Sequence, residues 1–519
     1  MMHWDLECDV LLLGGGVGSM SAAITLNESG LKPLIIEKSD LVGGATAFSG
    51  GIVWAPNNFR MKAKAIADSR DEALTYLESV SCGRGDKAIA RAYIDAVPRI
   101  VDSLRQRTAL RWVTYPGLPD YYAENPGGKV VGRYLLPHGD LVGEALRAAA
   151  ARWPAMNLVR PSIHLGLRRL QWVWGRALVG CLWARVLDDG TPFLLNHRAV
   201  SLVSHAGRVE GAVVSGDRGT CAIRARLGVI LNTGGFEWNE EMTRRHVPGA
   251  PLHPQTPPSN EGDGHLLAAE AGAAFALMDQ SIGMPSIRVP GELNGELQLH
   301  RILFQELARP HSIVVNAGGR RFANETYFPE IARAWNIRGD RCTYVNIPCF
   351  LVFDSNYVAK YGMPGGLPPD EPIHQSERLE SLAATIGIDP GGLKAEVSTY
   401  NEQIGGGGAD AFGRGSTAYQ RVFGDNDAIG NPTVGMLVRP PYYALEIHPA
   451  TSGHRGGVVI DGRARILDIR GNIIKGLFAC GSCAAGTLTG ETYFTGTAVG
   501  HAIVFGTLAA EEIVKRSNA

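Results

Sequence analysis

The stretch Asp9–Glu37, DVLLLGGGVGSMSAAITLNESGLKPLIIE, decides how the chain is read. Its apolar run Val10–Leu13 predicts a buried strand ending in three glycines. A helix-compatible segment follows from about Val17 to Asn27, Gly30 breaks it, and Leu34–Ile36 begins a second strand that ends on Glu37. Strand, glycine loop, helix, strand and acid in that order make a dinucleotide-binding unit. Gly14 permits the turn out of the strand, and Gly16 lets the backbone approach a pyrophosphate. The helix N-terminus then offers unpaired N–H groups to that anion. Glu37 lies about 20 residues past the second glycine, where a carboxylate accepts bonds from ribose hydroxyls. The third position of G-x-G-x-x-G, which serves close packing of helix on strand, is the small residue Ser19.

Around this unit, 519 residues lead to an expectation of two domains. Hydrophobic content of 45% against 19% charged residues describes a chain with a large core. A net charge of −1, with no basic tail, excludes a polyanion-binding surface, so no nucleic-acid partner is expected. Met1–Glu7 has no basic leader and no run of 18 apolar residues occurs, so a cytoplasmic protein without a transmembrane helix is expected. Of the eight cysteines only Cys480 and Cys483 have C-x-x-C spacing, and no second pair accompanies them. Buried, reduced thiols and no metal site follow.

Behind Glu37 comes LVGGATAFSGG, residues 41–51. Its N–H groups and the Thr46 and Ser49 hydroxyls hold a long cofactor, or they belong to a plain loop; the residues alone leave both open. Asp71–Val80 and Ala88–Leu104 have helical spacing, and Tyr115–Pro137 is irregular and rich in Pro, Gly and Tyr. Leu165–Leu187, with Trp172, Trp174 and Trp183 among arginines, reads as a core-facing helix with a basic side; peripheral membrane contact is the weaker alternative. Strands are expected at 193–196, 199–204, 209–215 and 228–231, and an alanine-rich helix from Leu266, with Asp263 as its cap and a G-D-G start suited to an anion. From about 280 to 440 the composition shifts, and Gly405–Gly408 closes that part. The tail returns to strands at 442–447, 458–460 and 476–479. Gly481, Gly486, Gly490, Gly496 and Gly500 then lead into a last helix, Ala498–Lys515, whose dipole would meet the cofactor. The expected fold is α/β: a Rossmann-like cofactor domain built from both chain ends, residues 1–279 (with a helical insertion at about 60–187) and 441–519, around an inserted α+β substrate domain, 280–440.

The segments CDVLLLGGGVG, IIEKSDLVGGATAFSGGIVW, PDYYAENPGG, GRALVG, TGGFEWN, SNEGDG, RRFANE, FGRGSTAY and GHRGG, with the glycine-studded tail, resemble the ketosteroid dehydrogenase and fumarate reductase flavoproteins, most of all the 3-ketosteroid Δ1-dehydrogenases. The resemblance spans nearly the whole chain. It implies FAD as cofactor, with Gly14, Gly16, Ser19, Glu37, Lys38, Gly43, Gly44, Thr46, Gly50, Gly51 and Asp263 in its site. In the tail Gly481, Gly496, Thr497, Ala498 and Val499 would approach the flavin. It further implies desaturation next to the carbonyl of a small lipophilic cyclic ketone, with an unidentified electron acceptor. Tyr493 and the Gly496 N–H would hold the ketone oxygen, a base would take the α-proton, and flavin N5 would accept the β-hydride. Tyr121 would stand beside the base. The family's base tyrosine falls at Pro329 here, and Tyr327 is the nearest substitute. Desaturation of smaller alicyclic ketones such as cyclohexanones is the alternative, and a fumarate-reductase-like dicarboxylate enzyme the more distant one.

Overall fold

The computed structural model describes residues 3–115, 117–139, 174–294, 297–367, 373–407 and 409–518. The part of the expected Trp- and Arg-rich helix up to residue 173, residues 116 and 140–173 of the expected helical insertion, and Gly408 lie outside the described residues.

Four strands set the first sheet: β1 (Leu6–Leu13), β2 (Pro33–Ile36), β3 (Gly219–Leu231) and β4 (Ile473–Ala479). β1 pairs parallel with β2 (Leu11↔Leu34) and with β3 (Leu11↔Val229), and β4 runs parallel to the end of β3 (Phe478↔Ile230). Residues 8–13 are buried on both faces, as continuous apolar runs in a covered parallel sheet require. Both chain ends therefore contribute to one eight-stranded sheet, and the carboxyl ends of its parallel strands lie along one edge.

Four helices begin near that edge: α1 (Val17–Glu28), α2 (Gly44–Phe48), α3 (Asp263–Glu270) and α4 (Thr497–Ser517). α1 and α4 cross at backbone contact, because a Cβ at Gly506 would overlap the Gly18 carbonyl. A Cβ at Gly18 would in turn lie 2.7 Å from Cys480 Sγ. The close packing assigned by pattern to position 19 is thus performed by Gly18. Ser19 is buried and its hydroxyl accepts from Asn232 Nδ2 at 3.2 Å. α4 is long and apolar enough to cross a membrane by composition, and 72% of its apolar window is buried inside the protein.

A second, seven-stranded sheet holds Leu297–Ile302, Ser281–Asn294, Tyr442–His454, Cys349–Asp354 and Ser312–Asn316 in that order, all antiparallel neighbours. One face packs on Ile287, Val314, Trp335, Leu351 and Phe353. The other is covered by helices Leu379–Ile386 and Pro390–Gly405 through Val315, Val352, Leu393 and Val397. Tyr442–His454, which the sequence reading places at the start of the returning cofactor part, pairs with Ser281–Asn294 and Cys349–Asp354 instead. We accordingly propose that the chain leaves the inserted unit near Gly456–Gly457.

Cys8, Cys181, Cys349, Cys480 and Cys483 are buried, and burial pushes the Cys483 thiol up to about 12. Cys82 and Cys342 are exposed, against the expectation of uniformly buried thiols.

Candidate active site

The described helix N-termini differ in their caps, and those at Gly175, Gln305, Phe328 and Leu379 have neither a side-chain cap nor a glycine before them. Helices at Phe59, Arg70, Lys87, Glu240, Ser355, Pro390 and Ala418 are capped by the side chains of Asn58, Ser69, Asp86, Asn239, Asp354, Asp389 and Thr417. α1, α2, α3 and α4 are preceded by Gly16, Gly43, Gly262 and Gly496, with no side-chain cap. Of their first-turn N–H groups, Gly264 donates to Thr233 Oγ1 and Thr497 to Phe494 O; the others have no acceptor among the described residues, and the helix dipoles favour an anion there. All four sit by the carboxyl edge of the parallel strands, where open α/β sheets bind ligands.

The first glycine loop is built for backbone approach. Gly14 has φ +103°, and any Cβ there would collide with the Asn232 carbonyl. Gly43 N–H donates to Gly15 O at 2.8 Å, which joins the two glycine segments. Glu37 accepts from Gly15 N–H at 2.7 Å and Ser39 N–H at 2.9 Å, and burial raises its carboxyl above the ordinary range. One bond per oxygen leaves acceptor capacity for ribose hydroxyls. Ser49 Oγ donates to Thr46 O at 2.9 Å and accepts from Gly51 N–H, so it braces the Gly43–Gly51 loop. Gly481 (φ +65°) backs onto Asn232 as well. Ala498 is exposed at the start of α4, although Gly500–Gly506 behind it are buried.

Two expected cofactor residues are engaged elsewhere. Asp263 bonds to Arg198 at 2.6 Å and Lys38 at 3.1 Å, and Lys38 also reaches Glu261 at 2.8 Å. Asp263 is the first residue of α3 and does not cap it; Gly262 takes the cap position, and Gly264 N–H donates to Thr233 Oγ1 at 3.0 Å. The four charges clamp α3 to the end of β2. Lys38 and Asp263 are both held in this network of ion pairs.

Beside α4 lies an aromatic chamber. Tyr121 is buried, its hydroxyl shares a 2.7 Å hydrogen bond with Thr495 Oγ1, and its ring lies 3.9 Å from that of Tyr419. Tyr327 hydrogen-bonds to the Tyr122 hydroxyl, and Phe494, Phe328 and Phe304 complete the walls. Tyr122, not Tyr121, is the hydroxyl next to Tyr327. Pro329 falls in the first turn of helix Phe328–Ala334, where a missing N–H costs no hydrogen bond. That helix start carries Tyr327 at its cap, so the chamber receives a hydroxyl two residues before Pro329. Burial is the main cause that raises Tyr121, Tyr327 and Tyr493 above the ordinary phenol range; for Tyr493 the Thr495 bond and the Arg455 charge oppose it.

A buried bracket fixes the chamber to α4. Trp54 N–H donates to Gly496 O at 3.1 Å, and Trp54 Nε1 donates to Asp120 Oδ1 at 2.9 Å. Arg133 holds Asp120 at 2.8 Å and Asp68 at 2.7 Å. Asp120 directly precedes Tyr121 and Tyr122, so one side chain ties both tyrosines to the start of α4.

Glycine-preceded helix termini at the carboxyl edge of a parallel sheet, beside a cluster of phenols, are the arrangement of a flavin-dependent oxidoreductase. The chain belongs to the FAD binding domain family, whose model matches residues 9–498, and its cofactor is FAD. It is 32% identical to the 3-oxosteroid 1-dehydrogenase of Mycobacterium tuberculosis (strain ATCC 25618 / H37Rv), over 98% of this chain and 99% of that one. It is 30% identical to the 4-oxocyclohexanecarboxylate 2-dehydrogenase of Sinomonas cyclohexanicum, over 97% of this chain and 92% of that one. The crystal structure of the 3-ketosteroid delta1-dehydrogenase from Sterolibacterium denitrificans, in complex with 1,4-androstadiene-3,17-dione, superposes with a TM-score of 0.87 at 32% identity, covering 98% of this chain and all of that one.

Tyr122, Tyr419, Thr495, Trp54 and Arg133 carry no signal that sequence reasoning used. PDYY offers two adjacent tyrosines, and FGRGSTAY contains Tyr419, but neither segment has a period from which side-chain direction follows.

Proposed function

We propose that this flavoprotein introduces an α,β double bond next to a ring ketone, with 3-ketosteroid Δ1-dehydrogenation as the first reading. The supporting observation is the grouping of Tyr493, the Tyr121–Thr495 pair and the Tyr122–Tyr327 pair at the uncapped start of α4. Bound FAD would supply the two-electron acceptor that takes a hydride from the β-carbon. The Tyr493 hydroxyl and the Gly496 N–H, which finds no acceptor among the described residues, hold the ketone oxygen and stabilise the charge that develops there. Tyr327, as the phenolate stabilised by donation from the Tyr122 hydroxyl, takes the α-proton on Oη and becomes the neutral phenol. Phe304, Phe328 and Phe494 keep water from the ring. The balance is one proton to Tyr327, one hydride to the cofactor, and a new C=C bond.

The 30% identity to a cyclohexanone carboxylate dehydrogenase favours smaller alicyclic ketones as the second reading. A dicarboxylate reductase is disfavoured. It needs cations to clamp two carboxylates, whereas Pro329 opens a helix and His454 packs on Phe236 with its Nε2 bonded to Thr243 Oγ1, held neutral by burial at about 4. An artificial-acceptor assay with saturated and 4-ene 3-ketosteroids, cyclohexanones and succinate tests the proposal. Turnover of a ring ketone is expected, and turnover of succinate alone would overturn it.

A further inference from the structure

Phe494–Thr497 is a tight turn at the start of α4: Thr497 N–H donates to Phe494 O at 3.4 Å, and Thr497 Oγ1 donates to the same oxygen at 2.8 Å. Gly496, its third residue, has φ +88° and ψ −11°, the angles of a type II turn. In a type I turn that residue would take φ of about −90°, with the central peptide turned over. The central peptide here is Thr495–Gly496, so the turn type decides which way the Gly496 N–H faces. Glycine populates both signs of φ, and residue type alone does not fix the choice. Contacts on two sides do. Behind the turn, Trp54 N–H donates to Gly496 O at 3.1 Å. On the chamber side, Thr495 Oγ1 shares a 2.7 Å hydrogen bond with the Tyr121 hydroxyl. Tyr121 is buried, its ring lies 3.9 Å from that of Tyr419 and edge-on to Phe328 at 6.0 Å, and the preceding Asp120 is bonded to Trp54 Nε1 at 2.9 Å. The contacts thus close a ring, from Thr495 to Tyr121, from Asp120 to Trp54, and from Trp54 back to Gly496.

We propose that Thr495 and Tyr121 are positioning residues whose hydroxyl pair holds the Thr495–Gly496 peptide in its type II orientation, with the N–H toward the ketone oxygen. This rests on the desaturase reading above, in which that N–H and Tyr493 hold the oxygen. Tyr121 then serves the carbonyl end of the chamber, while Tyr122 serves the base Tyr327. A peptide able to turn over would have to be turned back as charge develops on the oxygen, whereas a fixed donor stabilises that charge without reorganisation.

The test uses the FAD-loaded protein and whichever 4-ene 3-ketosteroid or cyclohexanone the acceptor assay turns over. Thr495→Val keeps the side-chain shape and deletes the hydroxyl. Its kcat should fall about tenfold, part of the loss that removing a whole oxyanion donor brings, with KM and FAD content little changed. Thr495→Ser should restore the rate. Tyr121→Phe, which deletes the same bond and no carbon atom, should lose as much as Thr495→Val, and the double variant no more than either, because the two hydroxyls act as one unit. The loss should be even across pH, since the base is untouched. Unchanged kcat in both single variants would overturn the proposal, and so would losses that multiply in the double variant. A displaced pH profile would put the pair on the base side and overturn it as well. Should Thr495→Val fail to hold FAD, Tyr121→Phe decides by the same readouts; loss of FAD from both, with Thr495→Ser intact, would make the bond a prop of the fold and refute the assignment. Failure of the desaturase reading shows separately, as absent ring-ketone turnover by the unmodified protein.

Discussion

Gly496→Ala separates the backbone cost of a left-handed residue from the cost of crowding the site. Gly496 has φ +88°, and a Cβ there would lie 2.5 Å from Trp54 N and 2.9 Å from Val53 C, both main-chain atoms that no rotamer change can move. Gly30 is the control, with φ +76° and nothing within 4 Å of its added Cβ. Each substitution carries about 1–2 kcal/mol for the left-handed conformation. Only Gly496→Ala adds overpacking of about 1–3 kcal/mol and weakens the Trp54–Gly496 hydrogen bond, itself about 1 kcal/mol. The expected losses are therefore about 1–2 kcal/mol for Gly30→Ala and about 3–6 kcal/mol for Gly496→Ala. Urea unfolding followed by circular dichroism measures both, and gel filtration with flavin absorbance measures retained FAD. Gly496→Ala should also lose flavin and turnover, since the displaced Trp54 carries the start of α4 and, through Asp120, Tyr121 and Tyr122. Equal destabilisation by the two variants, with FAD and turnover retained in both, would refute the reasoning.

Tyr493→Phe removes one carbonyl donor and no cofactor contact, so kcat should fall about 10²–10³-fold with FAD content unchanged, measured by acceptor-linked turnover. Burial keeps the Tyr327 phenol protonated at neutral pH, so kcat/KM should rise as pH is raised, and Tyr327→Phe should abolish that rise; a flat profile in the unmodified protein would remove Tyr327 as base. His265, His454 and His501 are buried and neutral, each lowered to about 4 mainly by burial. The unfolded chain binds their protons near pH 6.5 and the folded chain refuses them until about pH 4, so stability falls as pH drops through that window, by up to about 3 kcal/mol per histidine. Urea titrations at several pH values should show the slope, and His501→Phe should remove its share.

The cofactor side was legible because its determinants are local. A glycine at a strand end, a helix start and an acid at the next strand end fall within one 29-residue stretch, and each has a conformational reason visible in the residue type. Ser19 shows where locality fails. Its packing role moved to Gly18 because the partner surface is Gly506, nearly 500 residues away in sequence. The chamber was less legible for the same reason. Tyr121 and Tyr122 are neighbours in an irregular segment, and only Asp120, pinned by Trp54 and Arg133, decides which hydroxyl meets Thr495 and which meets Tyr327. The pattern that placed a base tyrosine at position 329 assumed a fixed register. The proline there instead lies in the first turn of a helix, with Tyr327 at the cap two residues earlier.

The two halves of the site are therefore made of different material. The expected cofactor side is main chain: four helix termini preceded by glycine, none capped by the residue before it. The expected substrate side is side chains: the phenols of Tyr121, Tyr122 and Tyr327 and the rings of Phe304, Phe328 and Phe494. Substitution in the chamber can change which ring is accepted without disturbing the backbone that holds the cofactor, provided that the Trp54 bracket survives. Trp54 touches both halves, by its N–H to Gly496 and its Nε1 to Asp120, and Tyr93 fixes it from behind with a 2.6 Å bond to its carbonyl. A change at Trp54 should alter flavin binding and ketone turnover together, whereas changes at Tyr327 or Tyr493 should separate them.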